Sequence, residues 1–297
     1  MGWEIMADNL LYPLVNALAD CVKSVASIKN KVPNEALYPI NNQYHLGDIY
    51  IPIGLRNKKD NVYLRIKDEQ AHTFICGQTG SGKSNIVKVI LSTIINQRPN
   101  VKLWLLDYKR VELSLFQNTK SCEVFEWDEE KISQRLNDLY ELVLRRYDEL
   151  AQKGITECDS SYESIVCVIE EISLMDKKDM KILRKIMAIS RAVHIYVIFT
   201  TQRPDNTVID NVVKSLIGNR ICLKTDDKKN SIIALDREGC EELRGKGHGY
   251  LRSGGSIIEF QAFYITDEQV KQIVDRHSKT VKVIESDNIN NEWWGKL

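Results

Sequence analysis

The stretch 77–84, GQTGSGKS, matches the phosphate-loop spacing G-x-x-x-x-G-K-[ST] at every fixed position. In such a loop the glycines let backbone N–H groups point at phosphate oxygens, the lysine adds positive charge, and the hydroxyl residue holds Mg²⁺. A glycine-rich turn could match by chance, but an apolar run precedes this one and a helix-like run follows it. The sequence therefore predicts a nucleoside triphosphate site, with Mg²⁺ as a cofactor and Ser84 as a metal ligand. The residues expected to contact the nucleotide are Gly77, Gln78, Thr79, Gly80, Ser81, Gly82, Lys83, Ser84 and Asn85.

A pair of adjacent carboxylates follows a later apolar run. Glu170 and Glu171 end the segment SIVCVIEE, and Gln202 follows the run at 193–201. In open parallel sheets the functional residues lie at the carboxyl ends of strands, and ATP hydrolysis needs one carboxylate near Mg²⁺ and another for the attacking water. Because neighbouring strand residues point to opposite sides, we assign Glu170 to the metal and Glu171 to the water, with Gln202 sensing the γ-phosphate. Two solvated glutamates opening a loop and an ordinary turn glutamine are the alternatives.

Composition limits the class of protein. The 297 residues are 43% hydrophobic, which suits one large α/β domain or two small ones. Basic and acidic residues balance at 41 each, so bulk charge gives no sign of nucleic-acid binding, although a local basic surface is compatible with a neutral total. The cysteines include no C-x-x-C pair, which favours a reducing cytosol and argues against structural zinc. No apolar stretch reaches the roughly 18 residues that span a bilayer. We expect a cytoplasmic protein without a transmembrane segment, or the soluble part of a membrane complex.

The order of strand-like and helix-like segments predicts the fold class. IYIPIGL and NVYLRI flank a polar turn and predict a β-hairpin before the phosphate loop. A helix is predicted from about Glu129 to Lys153, because apolar residues recur on one face and Gly154 ends it. Near-continuous apolar runs are typical of strands buried in a parallel sheet; the candidates are 101–107, 164–170 and 193–201, with shorter ones at 219–224, 249–252 and 257–265. Strands that alternate with helices indicate an α/β fold with a mostly parallel, doubly wound sheet.

Several separated stretches together resemble the FtsK/SpoIIIE family of ring-forming, DNA-pumping ATPases. The similarity covers roughly residues 46–265 and is far more specific than the phosphate loop alone. The stretches that carry it are GQTGSGKSN (77–85), LLDYKRVELSLF (105–116), RRYDELAQKGI (145–155), VIEEISLMD (168–176), SRAVHIYVIFTTQRPD (190–205), VIDNVVKSLIGNRICLKTDDKKNSIIALD (208–236) and LRGKGHGYL (243–251).

The resemblance implies a RecA-like motor domain that assembles as a homo-hexamer around double-stranded DNA and translocates along it while hydrolysing ATP. Carried over by position, Lys83 and Ser84 match the Walker A lysine and hydroxyl, Glu171 the catalytic glutamate and Gln202 the sensor of the family's T-Q-R-P. Arg220 falls where the family places an arginine that acts on the neighbouring subunit's nucleotide, and a planar guanidinium suits that role. A surface arginine leading a strand is the alternative.

Three segments follow from this comparison. We predict an N-terminal helical segment and linker at 1–45, a RecA-like FtsK/SpoIIIE-type ATPase domain at 46–275, and a polar C-terminal tail at 276–297. In the first segment, apolar residues recur at three- and four-residue intervals from Leu11 to Val25, and Pro33 and Pro39 mark the linker. That helix face is expected to pack on the main domain or a neighbour, because its polar face is not basic enough for a membrane surface.

The sequence departs from the family pattern at three points. Glu170 stands where the family usually has Asp, which could alter metal geometry and activity, and the typical D-P-K is D-Y-K here, with Asp107 and Lys109 retained. We expect no winged-helix module of the kind that reads DNA sequence within these residues, because the tail at 276–297 is too short and too polar for one. This plan resembles conjugative coupling proteins of the TcpA type, which generally have a membrane anchor, and implies a possible membrane secretion or conjugation apparatus as partner.

The substrate contacts are expected on a lysine-rich helix. Sequence-independent translocation needs phosphate contacts from basic side chains, and the family places a pore-facing loop just after the catalytic glutamate. Lys177, Lys178 and Lys181 are the first candidates, with Arg184, Lys185, Lys228 and Lys229 behind them; a solvated helix face is the alternative. Two other functions stay open: a type VII-like protein-secretion motor, and a weakly hydrolysing nucleotide-binding assembly module.

Overall fold

Each apolar run that predicted a strand forms one in the structure. The computed structural model describes residues 32–40, 49–98, 100–205 and 209–279. Within them, ten strands form one sheet: β1 (Ile49–Leu55), β2 (Asn61–Ile66), β3 (Thr73–Cys76), β4 (Val101–Asp107), β5 (Cys122–Glu126), β6 (Ser164–Glu170), β7 (Ile195–Thr201), β8 (Asn219–Leu223), β9 (His248–Ser253) and β10 (Ser256–Ala262).

The sheet has a parallel core and an antiparallel extension. Its strand order is β2-β1-β10-β9-β8-β3-β7-β6-β4-β5. The six strands from β8 to β5 run parallel, whereas β9, β10, β1 and β2 pair antiparallel. Parallel neighbours need crossover connections, which helices supply, while antiparallel ones are joined by short turns. The predicted mostly parallel α/β fold and the hairpin before the phosphate loop are confirmed.

Six α-helices are present in the described part of the chain. They are α1 (Lys83–Gln97), α2 (Glu129–Lys153), α3 (Lys177–Ile189), α4 (Asn211–Leu216), α5 (Lys228–Leu235) and α6 (Asp267–Arg276). Helix α2 has the predicted bounds: Asp128 caps its first turn and Gly154 ends it in a left-handed conformation. None of these helices combines the length and apolar content that crossing a membrane requires.

Helices cover both faces of the sheet. Consecutive strand residues alternate between two cores: Ile75 packs in the core that contains Ile90 of α1, whereas Phe74 and Cys76 pack in the core that contains Leu136 of α2. The alternation follows from the two-residue period of a strand. It explains why the strands read as continuous apolar runs, since both of their faces are buried.

Several elements differ from the prediction. The strand expected at 193–201 begins at Ile195, because a 3₁₀ turn occupies Ser190–Val193 and His194 has a positive φ of 54°. The strand expected at 257–265 ends at Ala262. Strand β5 and helices α4, α5 and α6 were not predicted; β5 is a short strand at the sheet edge, and Glu123 and Glu126 leave its sequence without an apolar run.

The segments on either side of the predicted motor domain contact it where they are described. Leu37 forms a parallel bridge with Tyr264, and the Lys120 backbone N–H donates to the His277 carbonyl over 2.8 Å. Helix α6 ends at Arg276, one residue past the predicted domain end. The predicted N-terminal helix and most of the predicted polar tail lie outside the described residues, and the three-segment division stays a prediction.

Candidate active site

The phosphate loop joins β3 to the N-terminus of α1. Gly82 has a φ of 107°, and a Cβ there would lie 2.6 Å from the Gly247 backbone nitrogen, so the position accepts no side chain. The Gly247 N–H in turn donates to the Ser81 carbonyl over 2.6 Å. The GKGHG stretch therefore supports the phosphate loop from outside it, a contact between distant parts of the chain.

A cavity of about 400 Å³ opens beside this loop. Most of the predicted nucleotide contacts line it; Gly77 and Ser81 do not, and Ser81 is buried. The lining residues are Gln78, Thr79, Gly80, Gly82, Lys83, Ser84, Asn85, Lys88, Glu112, Gln202, Tyr264, Ile265 and Asp267. Asn85 lines the cavity, but both atoms of its amide are already hydrogen-bonded within the protein. Its NH₂ group donates to the Phe263 carbonyl (2.6 Å), and its side-chain oxygen accepts from the Ile265 N–H (3.0 Å).

The predicted metal carboxylate forms an ion pair with the phosphate-loop lysine. Lys83 Nζ lies 2.6 Å from Glu170 Oε1, and both side chains are buried. The Thr200 hydroxyl donates to Glu170 Oε2 over 2.7 Å. Burial raises the pKa of Glu170 and the neighbouring Glu112 carboxylate adds to the increase, while Lys83 opposes it. Strand ends β6 and β7 thus hold one carboxylate against the lysine of α1.

Glu171 is turned away from its neighbour. It lies just past β6 with φ 65° and ψ 65°, a left-handed conformation that is costly for a residue with a Cβ. Its carboxylate accepts from Lys109 Nζ (2.7 Å), the Ser173 hydroxyl (2.6 Å), the Thr201 hydroxyl (2.8 Å) and the Gln202 N–H (3.1 Å). The two glutamates separate because of this backbone turn, not by strand alternation as the sequence suggested.

The hydrogen bonds set the charge of Glu171. Burial alone would raise the pKa of this carboxyl, but the bonds from Lys109, Ser173 and Thr201 outweigh burial and lower the pKa to about 2. Glu171 is therefore a carboxylate at neutral pH. Since strong donors occupy its lone pairs, it is a weak base while the Lys109 bond persists.

The loop after β4 brings two further charged groups to the site. Its Lys109 is the residue bound to Glu171, and its Glu112 accepts a short hydrogen bond from the Ser84 hydroxyl. Glu112 Oε2 is buried without a hydrogen-bond partner among the described residues. Sequence reasoning did not assign Glu112, although it lies in the family-like stretch LLDYKRVELSLF.

The donor set around Ser84 fits a magnesium ion. Ser84, Glu112 and Glu170 all present oxygen atoms. The Ser84 hydroxyl donates to Glu112 and the adjacent Lys83 pairs with Glu170, so both carboxyl groups contact the first turn of α1. Mg²⁺ prefers such hard oxygen donors and usually binds through one or two carboxylates together with substrate phosphates. Replacing Asp by Glu at position 170 keeps a carboxylate in this set.

Gln202 contacts the phosphate loop directly. Its side-chain oxygen accepts from the Thr79 hydroxyl over 3.2 Å, so the end of β7 and the loop after β3 are joined at the cavity. The geometry places Gln202 where it can report on the phosphates, as predicted for a sensor. That role itself stays a prediction.

Arg220 lies away from this cavity. It pairs in register with Phe74, two residues before the end of β3, and its side chain is 10% exposed. Its guanidinium donates to Asp236 (2.6 Å) and to the Lys214 carbonyl (3.0 Å). An arginine acting on another subunit would have to leave these partners.

The predicted DNA-contacting lysines begin α3 and not a loop. Lys177, Lys178 and Lys181 are exposed, while Asp176 caps the helix through the Asp179 N–H. Positive charge in the first turn opposes the helix dipole. Helix stability therefore does not explain why lysines occupy the start of α3.

The fold and this cavity define the chain as a P-loop nucleoside triphosphatase: a glycine loop before a helix N-terminus, with polar groups at the ends of adjacent parallel strands. The chain belongs to the FtsK/SpoIIIE family, whose sequence profile matches residues 40–250.

Two relatives illustrate the sequence similarity. The DNA translocase FtsK of Tropheryma whipplei (strain TW08/27) is 28% identical over 231 residues, which cover 69% of this chain and 31% of that protein. The DNA translocase FtsK of Caldanaerobacter subterraneus subsp. tengcongensis is 28% identical over 318 residues, covering 96% of this chain and 45% of that protein. The chain thus matches less than half the length of these relatives.

Solved structures share the fold. The pCW3 conjugation coupling protein TcpA, in a monomer form with ATPγS, superposes with a TM-score of 0.72 at 23% identity, covering 83% of this chain and 75% of that one. The cytoplasmic domain of the type VII secretion ATPase EccC of Thermomonospora curvata gives a TM-score of 0.69 at 18% identity, covering 81% of this chain and 32% of that one. The predicted resemblance to the family and to the TcpA type is confirmed at the level of the fold.

Proposed function

We propose that the chain is the motor of a DNA translocase, hydrolysing ATP with Mg²⁺ and moving along double-stranded DNA. The observation that carries the proposal is that Lys83 and Gln202 line one cavity, while Glu170 pairs with Lys83 and Glu171 accepts from the Gln202 N–H. Family membership supports ATP as the nucleotide. The relatives' description as DNA translocases supports DNA as the substrate.

Binding of the triphosphate rearranges the Lys83 contact. Its ammonium is held by Glu170 at 2.6 Å and lies in the wall of the cavity. We propose that it exchanges this carboxylate for terminal phosphate oxygens. Glu170 is then available, with Ser84 and Glu112, to hold Mg²⁺, which when bound supplies positive charge to the phosphate oxygens.

Glu171 then acts on the attacking water. A base with a pKa of about 2 is poorly matched to proton abstraction at neutral pH. We propose that Glu171 orients the water while bonded to Lys109 and becomes basic enough to accept its proton when that bond lengthens. Gln202, joined to Thr79, would link the phosphates to the Glu171 carboxylate through its own backbone N–H.

The DNA-facing surface would include the first turn of α3. Lys177 and Lys178 are exposed there and face an unfavourable helix dipole, a cost that phosphate binding would offset, and Lys181 is exposed one turn further along. We propose a homo-hexamer in which this turn faces the pore and Arg220 leaves Asp236 to reach a neighbour's nucleotide. The same surface would serve a sequence-independent motor, since lysine contacts to phosphate carry no base information.

We propose a conjugative plasmid or integrative element as the setting, with a cytoplasmic motor recruited to a membrane apparatus. The fold similarity to TcpA supports this choice. A protein-secretion motor is the second candidate, supported by the comparable superposition on EccC. A weakly hydrolysing assembly module is a third, motivated by Glu170 in place of Asp.

The decisive measurement is the Mg²⁺-dependent ATPase rate with and without linear double-stranded DNA. We expect DNA to stimulate turnover, Lys83→Ala to abolish it, and Glu171→Gln to bind ATP but turn it over at least about 100-fold more slowly. Glu112→Gln should raise the Mg²⁺ concentration needed for half-maximal nucleotide binding. Turnover that is indifferent to DNA would refute the DNA motor in favour of protein secretion, and no turnover at all would favour the assembly module.

A matched pair of charge variants tests the DNA surface. Lys177→Ala with Lys178→Ala should reduce the slope of log affinity against log salt by about 2, since each phosphate contact contributes about 0.9. Lys58→Ala with Lys59→Ala removes equal charge from the exposed turn between β1 and β2 and should leave the slope unchanged. Equal slopes in both double variants would remove α3 from the DNA surface.

A further inference from the structure

The segment after β10 is fixed against the first turn of α1. Asn85, two residues after the phosphate-loop lysine, bonds through both atoms of its amide to the backbone of Phe263 and Ile265. Thr266, which follows Ile265, is the N-cap of α6 and forms a capping box with Gln269. The residue between these bonds, Tyr264, therefore has a backbone position set by the same helix turn that begins at the phosphate loop.

A second element fixes Tyr264 from the other side. Its N–H donates to the Ala36 carbonyl over 2.6 Å, and its carbonyl accepts from the Tyr38 N–H over 2.9 Å. Ala36 and Tyr38 are themselves buried in the core. Backbone bonds on both sides thus hold Tyr264, and this pre-organisation lowers the entropy lost when a ligand contacts it.

The side chain of Tyr264 nevertheless remains 57% exposed. Its bridge partner Leu37 is 74% exposed, so two large apolar side chains lie together at the surface. Single exposed apolar residues are ordinary. This pair is different because Tyr264 lines the same cavity as Lys83 and Ser84.

We propose that Tyr264 is the platform on which the base of the bound nucleotide stacks, with Leu37 beside it. The inference rests on the proposed nucleotide site. A triphosphate held by Lys83 must place its base elsewhere in the cavity, and Tyr264 is the one aromatic side chain among the described lining residues. Stacking uses the face of the base, which every base has. ATP and GTP are therefore expected to gain similarly from Tyr264.

The test compares ATP with tripolyphosphate, which has no base, in calorimetric titrations with Mg²⁺. Tyr264→Ala should weaken ATP binding by about tenfold or more, the range found for base stacking on aromatic side chains. Tripolyphosphate affinity should not change, and Tyr264→Phe should retain wild-type affinity for both. Leu115→Ala removes another exposed apolar side chain, one outside the lining, and should leave both affinities unchanged.

The other outcomes separate the two proposals. Lys83→Ala should weaken both ligands, and a wild-type protein that binds neither would overturn the nucleotide site and the platform together. Equal losses of ATP and tripolyphosphate in Tyr264→Ala would overturn the platform alone, since the residue would then support the phosphate loop. If Tyr264→Ala leaves the ATP affinity unchanged but alters the sedimentation coefficient, the platform is refuted, and the surface of Tyr264 and Leu37 is assigned to contacts between copies of the chain.

Discussion

Replacing Asp107 by Asn should disconnect the loop after β4 from the active site. Asp107 is the fully buried last residue of β4. Its Oδ1 accepts from the N–H groups of Lys109 (3.0 Å) and Arg110 (3.1 Å), and its Oδ2 accepts from that of Leu113 (2.9 Å). The loop that these bonds shape carries Lys109 to Glu171 over 2.7 Å. One carboxylate thus fixes the loop that places Lys109 against Glu171.

The size of the effect follows from the hydrogen bonds. An asparagine keeps one acceptor oxygen but places an NH₂ group where the second oxygen lies. If the side-chain oxygen stays with the N–H groups of Lys109 and Arg110, the new NH₂ group faces the Leu113 N–H, which is also a donor. If the amide is flipped, the NH₂ group faces the two donors of Lys109 and Arg110. A charged hydrogen bond contributes about 1.5–3 kcal/mol, and a buried donor left without a partner costs about 1–3 kcal/mol. We expect the free energy of unfolding to fall by about 3 kcal/mol.

The same substitution should lower kcat as well as the free energy of unfolding. A displacement of about 1 Å in a positioning group can cost about 100-fold in rate. Because the loop carries Lys109 and Glu112 but no phosphate-loop residue, kcat should fall toward that limit while the affinity for ATP without Mg²⁺ changes little. Denaturant unfolding and steady-state kinetics on one preparation measure both quantities.

The matched control is Asp128→Asn. Asp128 also accepts a backbone N–H, that of Lys131 over 3.2 Å, as the N-cap of α2. Asparagine caps a helix as well as aspartate does, so this variant should change the free energy of unfolding by less than about 0.5 kcal/mol. If Asp107→Asn is no worse than Asp128→Asn in stability and in kcat, the carboxylate does not hold the loop and the reasoning fails.

Two pH-dependent predictions follow from other buried groups. Lys109→Met removes a bond that lowers the pKa of Glu171 to about 2, so the acid limb of the pH–rate profile should move to higher pH; an unmoved limb would exclude Glu171 as the group that must be ionised. His72 is buried, which lowers its pKa from 6.5 to about 4, and the unfolded chain binds its proton first as pH falls. Stability should therefore drop by about 3 kcal/mol between pH 6.5 and 4. His72→Gln retains a donor and an acceptor without titrating and should flatten this pH dependence in acid unfolding.

The sequence was sufficient for the elements that local pattern determines. Apolar runs buried on both faces located β4, β6 and β7, and the glycine-lysine spacing located the loop before α1. The edge strand β5 was not predicted, because Glu123 and Glu126 interrupt its apolar residues. The family's motifs singled out Gln202, which lines the cavity, and Glu171, which accepts from the Gln202 N–H, although chain order alone does not show that Gln202 reaches Thr79.

Contacts between distant segments could not be predicted in the same way. Nothing near Glu112 in the sequence indicates a bond to Ser84, because the approach depends on the turn that Asp107 holds. The position of Tyr264 could not be predicted either, since it depends on Asn85, which is far away in the chain. Arg220 illustrates the opposite case: position in a motif suggested an exposed role, whereas long-range folding gave it Asp236 as a partner.

Both active-site glutamates are paired with lysines from other elements. Glu170 has Lys83 from α1, and Glu171 has Lys109 from the loop after β4. Breaking a buried ion pair by removing one partner costs about 3–5 kcal/mol, because the other charge is left uncompensated. Substitution of Lys83 therefore affects stability as well as nucleotide binding. Glu171→Gln is the cleaner catalytic variant, because its amide keeps an acceptor for the Thr201 hydroxyl, whereas Lys83→Ala leaves Glu170 buried with only Thr200 to stabilise it.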